Sequence, residues 1–453
     1  MAFEMFRKRM EAEGLPELVI ETFRHQYEQL VAGESGLMPE SALESVDDLP
    51  DLDTLPAELS RRGQESLSRC VMIKLNGGLG TSMGLDRPKS LLEIKDGMTF
   101  LDVIARHAVS ADVRLVLMNS FSTQSDSIDA LRHYPELAGR QLDFLQHKVP
   151  KVRADDLEPL DWPMNRALEW NPPGHGDLYT ALQTSGMLDA LLAEGRDLAF
   201  VSNADNLGAS IDARLVGYMV SSETEFLMEV ADRTEADRKG GHLARSTDGG
   251  LVLREAAQCA EGDRESFQDI ERHRYFNTNN IWLDLKALKR SLSEPGRLLV
   301  LPLIRNAKLA DPRVPDSPRV FQLETAMGSA IGVLPGAGAI RVARERFAPV
   351  KTTDDLLAVR ADANILTSDF RVAPHPDRKG RPTVVALDRK YYGHVDQLEA
   401  RFPAGPPSLV DCDRFVVEGD AMFGADIRCV GDVLVRNESD VQLQVKNGSV
   451  LGE

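Results

Sequence analysis

The chain has 453 residues, a hydrophobic share of 42% and a formal net charge of −18. This composition excludes a disordered chain and leaves room for about three domains of roughly 150 residues, or for one large catalytic domain with appendages. The acidic balance excludes charge-driven binding of nucleic acid or anionic membrane, so phosphates must be met locally by a few aimed cations, backbone N–H groups or a metal. No apolar run reaches the roughly 20 residues of a spanning helix, and the opening stretch MAFEMFRKRMEAEG lacks the apolar core of a signal peptide. A cytoplasmic protein is expected, with no nucleic-acid and no membrane partner. Cys70, Cys259, Cys412 and Cys429 form no C-x-x-C pair and read as reduced, mostly buried thiols.

Residues 1 to about 66 read as a peripheral helical region. In LPELVIETFRHQYEQLV, Val19, Phe23, Tyr27 and Val31 share one stripe by i, i+4 spacing, which predicts a helix packed on a larger domain. SVDDLPDLDTLPAELS predicts an extended connection into another short helix. From Cys70 the texture changes to strands at CVMIKL and at positions 113–120, 197–206, 223–230 and 276–285. Helical stretches such as TFLDVIARHAV and GDLYTALQTSGMLDALLAEG lie between them. The alternation predicts an open, mostly parallel sheet with helices on both faces, and a ligand site at the carboxyl ends of its strands, where the polar clusters fall.

Beyond about residue 365 a period of six sets in. Val417, Phe423, Cys429, Val435 and Val441 form one register; Phe415, Ala421, Ile427 and Val433 form a second. Such spacing predicts a short β-helix, with a small antiparallel sheet as the other reading.

The segment KLNGGLGTSMGLDRPKS, residues 74–90, follows the first of these strands. A glycine-rich turn after a strand aims successive N–H groups at one spot and suits a phosphate. A Walker A loop fails, because no glycine pair has its spacing before a lysine. A dinucleotide fingerprint is weakened: Gly78 and Gly80 fit, but Met83 stands at the third glycine position and the second strand ends LMNS without the ribose-binding acid. A nicotinamide dehydrogenase is disfavoured accordingly.

A third pattern fits: a strand, a G-G-x-G-[ST] turn, then Pro88 and Lys89. In this segment the chain resembles the UTP–glucose-1-phosphate uridylyltransferases, the UDP-glucose pyrophosphorylases of the eukaryotic type. PPGHGDLY, NADNLG, MEV…KGGHL, FNTNNIW, LETAMGSAI and RFAPVKTTDDLL resemble that family's blocks in its order, from about Leu15 to the C-terminus. The resemblance implies a Rossmann-like (GT-A-like) nucleotidyltransferase fold, a mixed sheet flanked by helices, with a helical N-terminal extension at 1–66. The catalytic domain would span 67–362, and a C-terminal domain at 363–453 would carry a short left-handed β-helix.

The implied reaction joins glucose-1-phosphate to the α-phosphorus of UTP, giving UDP-glucose and pyrophosphate. The attacking phosphate oxygen is already ionised, so the task is to align and neutralise two polyanions rather than to supply a general base. By the resemblance, Leu75, Asn76, Gly77, Gly78, Gly80, Thr81 and Gly174 would bind the nucleotide, and the Gln146 amide would read uracil. Lys89 would contact the phosphates and the leaving pyrophosphate, Asp205 would hold Mg²⁺, and Lys351 would neutralise the sugar phosphate. His175, Asn203, Gly241, Glu255, Asn279 and Asn280 would meet sugar or phosphate, with Asn280 foremost for the sugar hydroxyls and Asn279 on the opposite strand face. The rival readings are a UDP-N-acetylhexosamine or broad UDP-sugar pyrophosphorylase and, more remotely, a non-catalytic sugar-nucleotide sensor. The shortness of the last segment argues for a monomer or dimer.

Overall fold

The computed structural model describes residues 2–292 and 298–452. Its centre is a ten-stranded sheet built from β1 (Leu43–Glu44), β2 (Cys70–Asn76), β3 (Arg114–Asn119), β4 (Asp143–Leu145), β5 (Leu198–Asn203), β6 (Phe226–Asp232), β7 (His242–Ser246), β8 (Leu251–Arg254), β9 (Tyr275–Asp284) and β10 (Ala337–Arg341). Val71, Met72 and Ile73 are all fully buried, as are Leu115, Val116 and Leu117. Continuous rather than alternating burial is the mark of strands covered by helices on both faces. β5, β2, β3 and β4 are parallel neighbours, and Asn203, Leu75, Met118 and Phe144 stand in register near their carboxyl ends. One row of strand ends therefore launches the glycine loop, Ser120, Gln146 and Asp205.

The sheet is more mixed than the alternation suggested. β9 runs antiparallel to β5, β6 and β7. β8 and β9 are both antiparallel to β7 and so run the same way on either side of it, and β9 enters the sheet between β5 and β6 against their direction. β9 also carries a bulge. Glu229 pairs with Asn280 but Val230 pairs with Asn277, so Thr278 and Asn279 are extruded from the ladder, and Asn279 takes φ +56°.

The N-terminal helix Glu17–Val31 buries Val19, Ile20, Phe23, Tyr27 and Leu30. Val31 is 55% exposed, contrary to the stripe that included it. A step of four residues overshoots a helical turn by about 40°, so three steps rotate Val31 off the face and Leu30 replaces it. The stretch at 176–195 forms two helices, Leu178–Thr184 and Met187–Ala193, parted at Gly186. All four cysteines are free, and Cys70, Cys412 and Cys429 are buried.

The C-terminal part stacks β11 (Val384–Leu387), β12 (Ser408–Glu418), β13 (Ala421–Phe423), β14 (Arg428–Arg436), β15 (Leu443–Val445) and β16 (Val450–Gly452). Every pairing among them is parallel, which rules out the small antiparallel sheet. Phe415 pairs with Val433, three periods of six later. Both apolar registers are buried until Val441, which is 76% exposed in the loop before β15. This stack shares one core with the glycine loop: Met83 is 1% exposed and packs in the same cluster as Tyr392, Val395 and Phe415.

The predicted short helix forms at Ala57–Ser66 and crosses the helix Ala213–Ser222 at a pair of glycines. A Cβ at Gly63 would stand 1.6 Å from the Ala213 carbonyl oxygen, and one at Gly217 1.9 Å from that of Leu59. Both obstacles are backbone, so Gly217→Ala is expected to destabilise by about 1–3 kcal/mol through overpacking. Urea denaturation should show a lower midpoint at unchanged m; a wild-type midpoint would contradict the close crossing.

Candidate functional site

The glycine loop is folded back on itself and tied by its carbonyls. Ser120 Oγ donates to the Gly77 carbonyl at 3.0 Å, and the Lys89 N–H donates to that of Gly78 at 3.1 Å. Among the described residues the N–H groups of Gly78, Leu79, Gly80 and Thr81 have no protein acceptor. A run of unpaired donors at a strand end is an anion cradle. Asn76 does not point into it: its amide donates to Asn119 Oδ1 at 2.7 Å and to Ser127 Oγ at 2.8 Å and is 3% exposed, so it fastens β2 to β3 instead. Leu75 is partly buried at the strand end, and Thr81 is exposed in the loop.

Gln146 sits between this loop and the 174 turn. Its N–H donates to the Asn119 carbonyl at 2.7 Å and its Nε2 donates to the Gly174 carbonyl at 3.0 Å. Its Oε1 lies 3.1 Å from where a Cβ on Gly77 would stand. Gly174 has φ +79°, and a Cβ there would meet the Thr325 carbonyl oxygen at 2.4 Å, so only glycine fits. The blocks PPGHGDLY and LETAMGSAI are thus one interlocked turn. Within it the Met327 N–H donates to His175 Nδ1 at 2.9 Å, which leaves the proton of the neutral ring on Nε2. Burial pushes this imidazole down to about 4, so His175 is a neutral donor at neutral pH.

Asp205 follows β5, one turn beyond Asn203, and its Oδ2 accepts from Lys89 Nζ at 2.7 Å. Both side chains are partly open, 15% for Lys89 and 23% for Asp205. The 346–351 segment runs beside this loop: the Val350 N–H donates to the Asp205 carbonyl at 3.0 Å and the Leu207 N–H to that of Ala348 at 3.2 Å. Lys351 is delivered next to Asp205 with its side chain exposed. Its N–H donates to Asp355 Oδ2 at 2.8 Å, part of a capping box on the helix Thr353–Arg360.

Beneath these residues lies a buried polar network that the motif reading missed. Glu229 is 0% exposed and accepts from Arg346 Nε and Nη2, both at 2.7 Å, from Trp282 Nε1 at 2.8 Å and from Asn280 Nδ2 at 3.1 Å. Asn280 also donates to the Arg346 carbonyl and accepts from Asn206 Nδ2 at 3.1 Å. Its amide is saturated by protein and buried, which leaves nothing to offer a sugar. The bulge explains the change: it turns Asn277 and Asn279 together, bonded to each other at 3.0 Å, and leaves Asn279 partly exposed. Glu255 belongs with them. Burial raises its carboxyl above the usual range, against the pull of the Asn277 amide and the Lys351 ammonium. A Cβ on Gly241 would stand 2.5 Å from Glu255 Oε2, so Gly241 forms the wall of the same recess. The sequence signal for the network was Glu229, an acid between apolar neighbours in the middle of the strand FLMEVAD.

No group of three or more His, Cys, Asp or Glu side chains suited to a metal occurs among the described residues. Asp205 fits the sparser mode of Mg²⁺, one carboxylate with the remaining positions filled by substrate oxygens and water, because its Oδ1 has no protein partner among the described residues.

A parallel strand row with an open N–H cradle, a lysine–aspartate pair and a second lysine across a neutral amide-lined recess defines a nucleotidyltransferase. A model of the UTP–glucose-1-phosphate uridylyltransferase family matches residues 20–429, and the chain belongs to that family. It is 39% identical over 393 residues to the UTP–glucose-1-phosphate uridylyltransferase of Saccharomyces cerevisiae, covering 85% of this chain and 77% of that one. With the Solanum tuberosum enzyme of that name it shares 38% over 415 residues, 89% and 84% of the two chains. Among solved structures it is similar to a mutant UDP-glucose pyrophosphorylase from Leishmania major, with a TM-score of 0.93 and 43% identity over 99% of this chain and 97% of that one. A second mutant of that protein, in complex with UDP-glucose, aligns with a TM-score of 0.91 at 43% identity, covering 99% and 98%.

The depressed His175 value has a consequence for stability. The unfolded imidazole titrates near 6.5, the folded one near 4, so the unfolded chain binds the extra proton between these values. The contribution of neutral His175 is full above that window and is lost as pH falls through it. The melting temperature of wild type should therefore fall more steeply than that of His175→Gln from pH 6.5 to 4; parallel curves would contradict the buried, neutral ring.

Proposed function

We propose that the chain transfers the uridylyl group of UTP to glucose-1-phosphate, forming UDP-glucose and pyrophosphate. The observation that carries this reading is the Lys89–Asp205 pair at the mouth of the N–H cradle, with Lys351 held beside it by the Val350–Asp205 bond. Family membership and the 43% identity to a pyrophosphorylase solved with UDP-glucose support the choice of substrates. In the free enzyme Lys89 and Asp205 neutralise one another. On substrate entry Lys89 turns to the triphosphate, which frees the Asp205 carboxylate that would hold Mg²⁺. Mg²⁺ held by Asp205 would supply charge neutralisation across the reacting phosphates.

The rest is positioning. The N–H groups of Gly78 to Thr81 take phosphate oxygens, and Gln146 presents an amide to the uracil edge. His175 donates its Nε2 proton to phosphate or sugar without adding charge. Glu255, Asn277, Asn279 and the Gly241 wall form the sugar recess, and Asn203 at the end of β5 faces the nucleotide or sugar. Lys351 neutralises the incoming phosphate, whose oxygen attacks in line with no general base. We also read the all-parallel C-terminal stack as a short left-handed β-helix, supported by its period of six, and the boundaries near 66 and 362 as domain limits.

Pyrophosphate release should require UTP and glucose-1-phosphate together, with N-acetylglucosamine-1-phosphate and the other nucleoside triphosphates far slower. Asp205→Asn should lower kcat by about 10²–10³, and Lys351→Ala should lower kcat while raising the KM for glucose-1-phosphate. Release from another substrate pair would change the sugar or base assignment, and no release from any pair would overturn the reading.

A further inference from the structure

Behind the row of strand ends lies a second polar site, built round a buried lysine. Lys74, in β2, is 1% exposed and makes no ion pair among the described residues. Its Nζ donates to Ser202 Oγ at 2.7 Å and to the Ala209 carbonyl at 2.9 Å. Ser202 and Ala209 bracket the loop that carries Asn203 and Asp205, so the two N–H bonds of the lysine grip that loop at both ends. A methionine would fill a similar volume without the cost of burying a charge.

Burial, then the Arg346 charge, pushes Lys74 down to about 7, and in either form Nζ keeps one free position, a third N–H as the ammonium or a lone pair as the amine. A cavity of about 20 Å³ adjoins Lys74, lined also by His107, Asn206, Ser210, Phe370 and Arg371. His107 is 7% exposed and its Nδ1 meets the Asp369 carbonyl at 2.9 Å, so Nδ1 carries the proton. Its Nε2 is then a bare acceptor, buried and without a partner. A free position on Lys74 Nζ and a spare acceptor on His107, on the wall of one cavity with room for a single water, describe a water site. Asp369 belongs to the C-terminal part of the chain, which sets the tautomer of His107.

We propose that Lys74 is a positioning residue that holds the Asn203–Asp205 loop, and that one buried water joins it to His107 and through it to the C-terminal segment at Asp369. The consequence is selective. Substrate contacts on the glycine loop, in the sugar recess and at Asn203, which its pairing with Leu75 holds in the sheet, are untouched when Lys74 is lost, but Asp205 shifts, and a misplacement near 1 Å costs about 10²-fold in the chemical step.

The proposal rests on the uridylyltransferase reading for its kinetic half and on geometry alone for its structural half, so the two fail separately. Wild-type turnover is measured first; its absence would count against the reading of function and leave the water to be tested. A high-resolution crystal structure of the full chain should show one ordered water bonded to both Lys74 and His107, and a dry cavity would overturn the link. Lys74→Met should lower kcat by about 30-fold or more with each KM within about 3-fold of wild type, and UDP-glucose binding by calorimetry without Mg²⁺ should be equally unmoved. His107→Leu should lose activity that His107→Gln, which keeps an acceptor, recovers. If Lys74→Met does not fold, Ser202→Ala removes one of the two grips and should lower kcat by about 3–10-fold at constant KM. Wild-type kcat in these variants, or a loss carried by KM and binding, would overturn the positioning role.

Discussion

The carboxylate of Glu229 is the constraint on which the site depends. It is wholly buried and holds four donors from two other stretches of chain: two from Arg346, and one each from Trp282 and Asn280 on β9. An unpaired charge in that position would be untenable, and truncating one partner of such a pair typically costs about 3–5 kcal/mol. The pairing fixes where Arg346 enters, and Arg346 in turn fixes the segment that ends in Lys351. Asn206 completes the frame by accepting from the Gly208 and Ala348 N–H groups at 3.1 and 2.9 Å. The aspartate loop and the lysine segment therefore move as one body, bonded through Glu229 to the central strands β6 and β9.

This frame lets a strongly acidic protein handle two polyanions. Its cationic groups at the cleft are few and are placed rather than massed. Lys89 is kept from acting as a free charge by Asp205, and Lys351 is kept extended by a cap that occupies only its backbone. His175 adds a donor without a charge, because burial keeps its ring neutral. The sugar recess is amide and carboxyl, which suits hydroxyl groups. In the proposed reading, phosphate is met on the side of the N–H cradle and the lysines, and the sugar by the amides and carboxyl of the recess.

Much of this was legible in the residues. The glycine loop, Lys89 and Asp205 lie at strand ends because buried parallel strands must deliver their polar residues there, and a period of six marked the C-terminal stack. What escaped was what depends on pairing across the sheet. Asn280 was favoured over Asn279 because strict alternation was assumed, but the bulge at Thr278–Asn279 reverses which amide faces the cleft. The direction of β9 escapes because its residues do not say which strands it pairs with, and it lies antiparallel between β5 and β6. Val31 was assigned to a stripe that a helix of 3.6 residues per turn cannot sustain for three steps of four. Glu229 and Arg346 each lie in a matched block, MEV…KGGHL and RFAPVKTTDDLL, but the blocks are far apart in sequence and nothing in either says that the two residues pair.

The most direct test of the account is a crystal structure of the full-length protein with UDP-glucose. The account predicts uracil against the Gln146 amide, the diphosphate between the Gly78–Thr81 N–H groups and Lys351, and the glucose hydroxyls on Glu255, Asn277 and Asn279 with Asn280 still bonded to Glu229. Glucose seated on Asn280, or a diphosphate distant from both Asp205 and Lys351, would contradict it.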